Sequence, residues 1–552
     1  MSAPAVSTTA ARSARPAAGV RPAEPLPFLL RTPVSLALLF TLALAFRLVV
    51  MPGSTPRNMD PDAAHFLNVA RCFERGQGFS NIGAWPAWMQ PAKLPMPETF
   101  KEPGYPWLIW KLKPVTGGDP FRAGQVVSLF GGIAIPLLLY ALARRLAGDR
   151  AVALAAGLIA AASPLLIAQS VRVMVDSIFP AVALTTLVVA ERRTDVTDRA
   201  RAAALDLAAG VALGAAFLLR SGAMLLWLPL ALLAIRGRRP LAALGGLALT
   251  ALAAAVVASP FIVRNLRIFH TWFHSDVSEY AIWPYVDPLT FNAGLEHPPA
   301  PVGFLLGHLP QVAKHWLQSA ARFALHTFPE EILGHQWILP VVVGLAVSLR
   351  RWRHHLFAYA LIVFMPGMLF ALHWDSRYFV IPTMLWCLFA ATGGLAILRR
   401  LGPVAGRAGL DLRPITAGML ALALVVQVQV ASNMVRRFDY AENPAAITLG
   451  PELHRRLAPD ESVMVMTTST YAWWADRPSV HLVISDHERF VATLRRLRVR
   501  LAVLPTDRLP EFASRYEGGK LPAAFRFERT EPALGVTVFG VEPDSTSASK
   551  AP

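Results

Sequence analysis

Long apolar runs, each near the length needed to cross a bilayer, recur along the whole chain and are set apart by clusters of arginine; nothing else in the sequence restricts the fold as strongly. The first run, Val34 to Met51, follows a Pro/Ala/Arg-rich head with no small-residue cleavage site, so it reads as a retained span and not as a signal peptide. With 552 residues, 54% hydrophobic and only 16% charged, the chain has the length for two or three soluble domains, but its apolar residues are gathered into runs instead. The net charge of +17 does not point to nucleic acid, because the arginines punctuate the spaces between runs and form no concentrated basic domain. Cys72 and Cys387 lie far apart in sequence, without metal spacing, and indicate neither a disulfide framework nor a zinc site.

The arginines set the topology. Arg12, Arg15, Arg21 and Arg31 precede the first run; Arg144/Arg145/Arg150, Arg192/Arg193/Arg199/Arg201, Arg236/Arg238/Arg239, Arg350/Arg351/Arg353 and Arg399/Arg400/Arg407/Arg413 follow between later ones. The positive-inside rule makes all of them cytoplasmic. Between consecutive clusters the chain must cross an even number of times, so 151–190, 205–235 and 356–398 are expected to be helical hairpins. With 34–51, 121–142, 241–259, 337–349 and 414–431 the expectation is an α-helical polytopic membrane protein of about eleven transmembrane helices, N-terminus inside and C-terminus outside. The expected organisation is a cytoplasmic head (1–33), a multi-span domain (34–431) with outer loops 52–120 and 260–336, a small periplasmic α/β domain (432–542) and a disordered tail (543–552).

Each hairpin tip carries a basic residue on the side where the rule predicts few: Arg172, Arg220 and Arg377. Any one of them alone is as well explained by snorkelling to lipid phosphates; three together, with Arg47, favour an anion site. In the first outer loop, Asp60-Pro61 is an N-cap followed by proline at the first helical position, and the helix it opens runs to about Arg75, expected along the membrane surface. Asp62 in the first turn suits the helix dipole. Further on, Lys101-Glu102 stands beside aromatic residues, where the two side chains could pair with each other. Arg172 and Asp176 are spaced for an ion pair at i,i+4.

Several separated motifs, in order, resemble the polytopic GT-C glycosyltransferases that use polyprenyl-phosphate sugars, a group related to protein O-mannosyltransferases, aminoarabinose transferases and bacterial lipopolysaccharide-core transferases. Asp62-Ala63-Ala64-His65-Phe66 is similar to the acidic motif after the first span, and Lys101-Glu102-Pro103-Gly104-Tyr105-Pro106 to the motif that ends the loop. Arg172 with Asp176, Pro260-Phe261-Ile262-Val263-Arg264-Asn265 and Asp375-Ser376-Arg377-Tyr378 resemble three later segments. Two positions depart from the pattern: Ala63 stands where many relatives have Glu, and Phe66 where Tyr is usual. The likeness covers roughly residues 34–400.

The resemblance implies a membrane enzyme that moves a sugar from a polyprenyl-phosphate donor to an envelope glycan, lipid or protein acceptor on the periplasmic side of a bacterial inner membrane, with inversion. It makes Asp62 the general base, with Lys101, Arg264 and Arg377, then Arg172 and Arg220, on the donor phosphate. Glu102, Tyr105 and Tyr378 join the substrate-binding set, and Asp60, His65 and Asp176 are secondary candidates. Glu102 and Asp60 could hold a divalent metal ion, since hard metals take carboxylates and phosphate oxygens, but no cofactor is expected as a requirement. The seven histidines of 260–336 match no ligand spacing, and that loop is expected to be a lid over the lipid entrance. Tyr471-Ala472-Trp473-Trp474 reads as packed core more readily than as a sugar platform. A transporter or flippase of lipid-linked glycans is the competing class, as is a non-catalytic lipid-glycan-binding relative. A transporter favours repeat symmetry and a midplane site, whereas here the unexplained residues gather at the outer face.

Overall fold

In the computed structural model the described residues are 28–542, except 85–90, 237–239, 287–298, 352, 438–442, 484–486 and 517–518. Trp85, Trp88, His297, Arg12, Arg15, Arg21, Arg238, Arg239 and the 543–552 tail therefore lie outside them.

Every apolar segment expected to span is helical. In chain order these are α1 (Thr32–Val50), α4 (Pro120–Ala147), α5 (Arg150–Ala162) with α6 (Pro164–Val171), α7 (Ile178–Arg193), α8 (Arg199–Leu219), α9 (Trp227–Ile235), α10 (Pro240–Phe269), α13 (Ile338–Arg351), α14 (Arg353–Leu369), α15 (Val380–Arg407) and α16 (Leu412–Arg436). Six helices among the described residues are long and apolar enough to cross a membrane, or eight if two bent pairs each count as one span. Their outer faces carry Leu241, Leu244, Leu252, Val256, Met419, Leu422 and Val425, all more than half exposed. A belt of that kind is untenable in water and ordinary against hydrocarbon; the chain is a multi-pass membrane protein.

Proline decides two departures from the expected boundaries. Pro164 breaks the third apolar segment into α5 and α6, bent by 54°. Pro260, expected to begin the second outer loop, instead lies inside α10, which runs on to Phe269. A proline there deprives the Val256 carbonyl of its N–H partner, and the Ser259 hydroxyl donates to that oxygen at 2.8 Å. The loop thus starts near 270, and Arg264 stands on the last turns of a span. In that loop α11 (Pro301–Gly307), α12 (Leu309–Arg322) and a π-helical stretch (Phe323–Ile332) precede α13, with a bend of 107° between the pieces.

The basic clusters meet at one end of the bundle: Arg145 pairs with Asp195, Arg193 with Asp206, and Arg399 with Asp149. The first outer loop carries α2 (Pro61–Glu74), strands β1 (Ser80–Asn81), β2 (Gly83–Ala84) and β3 (Met96–Pro97), and α3 (Gly104–Leu112). Residues after α16 form α17 (Asn443–Arg456), β4 (Ser462–Val465), α18 (Thr468–Ala475), β5 (Ser479–His481), α19 (His487–Arg496), β6 (Val499–Pro505), α20 (Leu509–Ser514), β7 (Phe525–Glu531) and β8 (Val536–Val541). Their sheet has the order β2-β5-β4-β6-β8-β7, parallel from β2 to β6 and antiparallel beyond. Its edge strand β2 comes from the first outer loop, so the tail is stitched to that loop by backbone hydrogen bonds.

Side chains reinforce the seam. Asn68 Nδ2 donates to Ser469 O at 2.8 Å, Asn443 Nδ2 to Met59 O at 2.9 Å, and Arg71 and Arg75 both pair with Asp476. Tyr471 is buried in the core and Trp473 lies under the Arg71 guanidinium, 4.2 Å from its ring centre, in keeping with the packing reading of that aromatic run. As a result α2 is not a surface helix. Ala63 through Ala70 are all buried, between α3 on one side and α18 on the other.

Candidate active site

The local chemistry of α2 places Asp62. Pro61 occupies the first helical position, and the Asp60 carboxylate accepts the Asp62 backbone N–H at 2.8 Å, capping the helix. With its own cap duty absent, the Asp62 side chain projects from the first turn toward two cations. Lys101 Nζ lies 2.9 Å from one of its oxygens and Arg377 Nη1 2.7 Å from the other. Lys101 does not pair with Glu102. All three groups are partly buried, at 22%, 15% and 15% exposure for Asp62, Lys101 and Arg377. Arg377 also stands 3.9 Å from Asp60 and from Asp375.

This environment separates the two aspartates. Burial raises the Asp62 carboxyl, but the charges of Lys101 and Arg377 outweigh it and hold the group well below the usual carboxylate range. Asp60 goes the other way: burial pushes it up, Arg377 opposes, and the neighbouring Asp62 charge adds to the rise. Neighbouring acids driven apart in this manner are a common signature of a site with divided roles.

Beside this cluster lies a cavity of about 370 Å³, in the range of small-molecule sites. Its walls are largely apolar, with Phe179, Leu225, Ile362, Leu369 and Ile381 among them, and its polar residues are Asp176, Arg220, Tyr280, His373, Arg377 and Tyr378. Arg377 therefore belongs to both the cavity and the Asp62 cluster. The Arg220 guanidinium pairs with Asp176 and lies 5.4 Å from the Tyr378 ring centre. Asp176 Oδ2 is buried and has no hydrogen-bond partner among the described residues.

Backbone contacts bring the loop motif to this place. Glu102 accepts the Ser221 N–H at 2.6 Å, just past α8, and a Cβ at Gly104 would stand 2.6 Å from the Leu218 carbonyl oxygen. Only glycine lets the loop approach the end of α8 so closely. Of the remaining expected site residues, several are employed elsewhere. Arg264 donates to the carbonyls of Phe79 and Glu98 and does not reach the Asp62 cluster. Arg172 donates to Met434 O at 2.7 Å yet stays at the edge of the cluster, within electrostatic reach of Asp60, Asp375 and Arg377, and its expected partner Asp176 pairs with Arg220 instead. The i,i+4 argument fails because α6 ends at Val171 and no helix joins 172 to 176.

Tyr105 is fully buried, its hydroxyl donating to Gly124 O at 3.0 Å and lying 2.8 Å from Ser128 Oγ; it is a core residue. Tyr105→Phe should accordingly cost about 1 kcal/mol of stability, read as a lower thermal unfolding midpoint; an unchanged midpoint would contradict this. His65 is buried, its Nε2 2.8 Å from Glu98 Oε2. The expected metal pair does not come together either: Asp60 caps α2, whereas Glu102 holds Ser221. A divalent ion at the aspartates would meet Lys101 and Arg377, and no group of three or more His, Cys, Asp and Glu able to hold a metal is found among the described residues.

Residues 97–263 match the family model described as dolichyl-phosphate-mannose-protein mannosyltransferase, a stretch that includes Lys101, Arg172 and Arg220. No curated protein matches the chain in sequence. Among solved structures, the oligosaccharyltransferase AglB of Archaeoglobus fulgidus, in complex with an inhibitory peptide and a dolichol-phosphate, is similar with TM-score 0.60 and 13% identity, over 94% of this chain and 75% of that one. ArnT of Cupriavidus metallidurans bound to undecaprenyl phosphate is similar with TM-score 0.54 and 16% identity, over 94% of this chain and 99% of that one. At such identities the likeness is one of fold.

Proposed function

We propose that the chain is a membrane glycosyltransferase that moves a sugar from a polyprenyl-phosphate donor to a hydroxyl of an envelope glycan, lipid or protein, on the periplasmic face of a bacterial inner membrane. The carrying observation is Arg377, which touches the candidate base Asp62 and also lines a largely apolar cavity. A lipid phosphate needs both an apolar channel and a cation at its head, and charge-assisted contacts to a departing phosphate stabilise the transition state. Similarity in fold to proteins solved with dolichol-phosphate and with undecaprenyl phosphate supports the same donor class. The arginine clusters that meet at one end of the bundle support the assignment of that end to the cytoplasm.

In the reaction the acceptor oxygen bonds to the anomeric carbon as the bond from that carbon to the phosphate oxygen breaks. Polyprenyl phosphate leaves with the electron pair, the acceptor proton passes to Asp62, and attack opposite the leaving group inverts the centre. With Lys101 and Arg377 clamped on it, Asp62 is a poor base. An incoming donor phosphate competes for both cations, and as they turn to it the Asp62 carboxylate regains basicity. Donor binding thus arms the base. The unpaired Asp176 oxygen suits a hydroxyl of the donor sugar, and Tyr280 and Ala281 on the cavity wall suit the loop's part as a cover. No step requires a metal.

Purified protein in lipid, given a panel of radiolabelled polyprenyl-phosphate sugars and envelope extracts, should form a new glycosidic product. Movement of the labelled lipid across the bilayer with no such product would replace this reading with a flippase.

A further inference from the structure

Glu98 belongs to no motif in the chain, yet it is one of the most buried charged groups outside the apolar bundle, at 2% exposure. Burying a carboxylate costs several kcal/mol unless it is fully paired. Here both oxygens are engaged, and in different directions. Oε2 lies 2.8 Å from His65 Nε2, and Oε1 accepts the backbone N–H of Phe100 at 2.7 Å and of Lys101 at 2.9 Å. His65 follows Asp62 by one turn of α2, so one carboxylate joins the helix that carries the candidate base to the backbone of the residue that carries its cation. Arg264 closes the arrangement from the span side by donating to the Glu98 carbonyl at 2.8 Å. Burial raises the Glu98 carboxyl, but His65 and the two N–H groups outweigh it and keep it below the usual value.

A turn of chain needs only a neutral acceptor for two N–H groups. Here the other oxygen of the same side chain also reaches a histidine of another element, a second contact that a glutamine can keep, and it couples the backbone of Lys101 to the helix that carries Asp62. Lysine has a long stem with much rotamer freedom, so its aim depends on where its backbone is anchored. We propose that Glu98 is a positioning residue, which, through its bridge between His65 and the Lys101 backbone, aims Lys101 at the phosphate of the lipid donor. This rests on the donor reading above. Glu98 is not among the residues lining the cavity and acts only through Lys101.

The test is binding of undecaprenyl phosphate to the full chain in lipid nanodiscs, with thermal unfolding followed in parallel. Lys101→Ala should raise the Kd roughly tenfold or more, and Glu98→Ala should raise it by a similar factor. The double variant should bind no more weakly than Lys101→Ala, within about twofold, because a residue acting through another adds nothing once that other is gone. Glu98→Gln keeps an oxygen for the two N–H groups and should recover binding to within about threefold of the native chain. If Glu98→Ala does not fold, His65→Ala cuts the same bridge at its other end and should show the same non-additivity with Lys101→Ala. Native binding by Glu98→Ala beside a weakened Lys101→Ala, or factors that multiply in the double variant, overturns the positioning role while the donor reading stands. Absence of saturable binding by the native chain overturns the donor reading, and this proposal with it.

Discussion

Asp62→Asn should lower glycosidic transfer by about 10²–10⁴-fold, the usual worth of a placed general base, while the protein still binds undecaprenyl phosphate. Binding should in fact tighten, by roughly tenfold, and this is the more discriminating half of the result. In the native chain Asp62 already holds Lys101 at 2.9 Å and Arg377 at 2.7 Å, so a phosphate must draw both cations away from a carboxylate. An amide of the same shape holds them less strongly. Unchanged transfer would remove Asp62 from the chemistry. Weaker binding would mean that the carboxylate helps to hold the donor, which is at odds with two cations shared between acid and phosphate.

Arg377→Ala should weaken undecaprenyl phosphate binding by about 30–100-fold, because it removes a charge-assisted contact from the head of the cavity, and it should affect donor use more than acceptor use. It should also shift the pH dependence. Asp62 is held below its usual pKa by Lys101 and Arg377 together, and a depressed carboxylate stays ionised until the pH falls through its lowered value. Removing one of the two cations raises that value. The acid limb of kcat/KM, which reports the free enzyme, should therefore move to higher pH in Arg377→Ala. An acid limb that stays in place would separate Asp62 from the titrating group. Equal losses for donor and acceptor would separate Arg377 from the phosphate.

Much of this protein is legible residue by residue. The Asp60-Pro61 cap predicts where α2 starts, because capping is chemistry among neighbours in sequence, and the helix does begin there. Apolar runs predict helices for the same reason. What fails are inferences that carry a local rule past the end of its element. The pairing of Arg172 with Asp176 assumes a helix that ends at Val171, and the boundary at Pro260 assumes that proline must stop a helix whose freed carbonyl a serine satisfies. Glu98 offers no signal at all, since a single acid between Pro97 and Thr99 is indistinguishable from a solvated one until its burial is known.

By itself, then, the sequence determined that the chain lies in a membrane, which segments are helical, and that Asp62 stands in the first turn of a capped helix. Those properties follow from hydrophobic transfer and short-range hydrogen bonding, both of which act on neighbouring residues. Only the tertiary structure decided which cations meet Asp62. Arg172, Arg264 and Arg377 are alike as sequence, three cations near the ends of apolar runs; helix packing and loop closure hold the first on a carbonyl of α16 at the edge of the acidic cluster, the second on the carbonyls of the first loop, and the third on the Asp62 carboxylate. An ion pair depends on a few ångströms of separation, and those are set by how distant helices pack against one another.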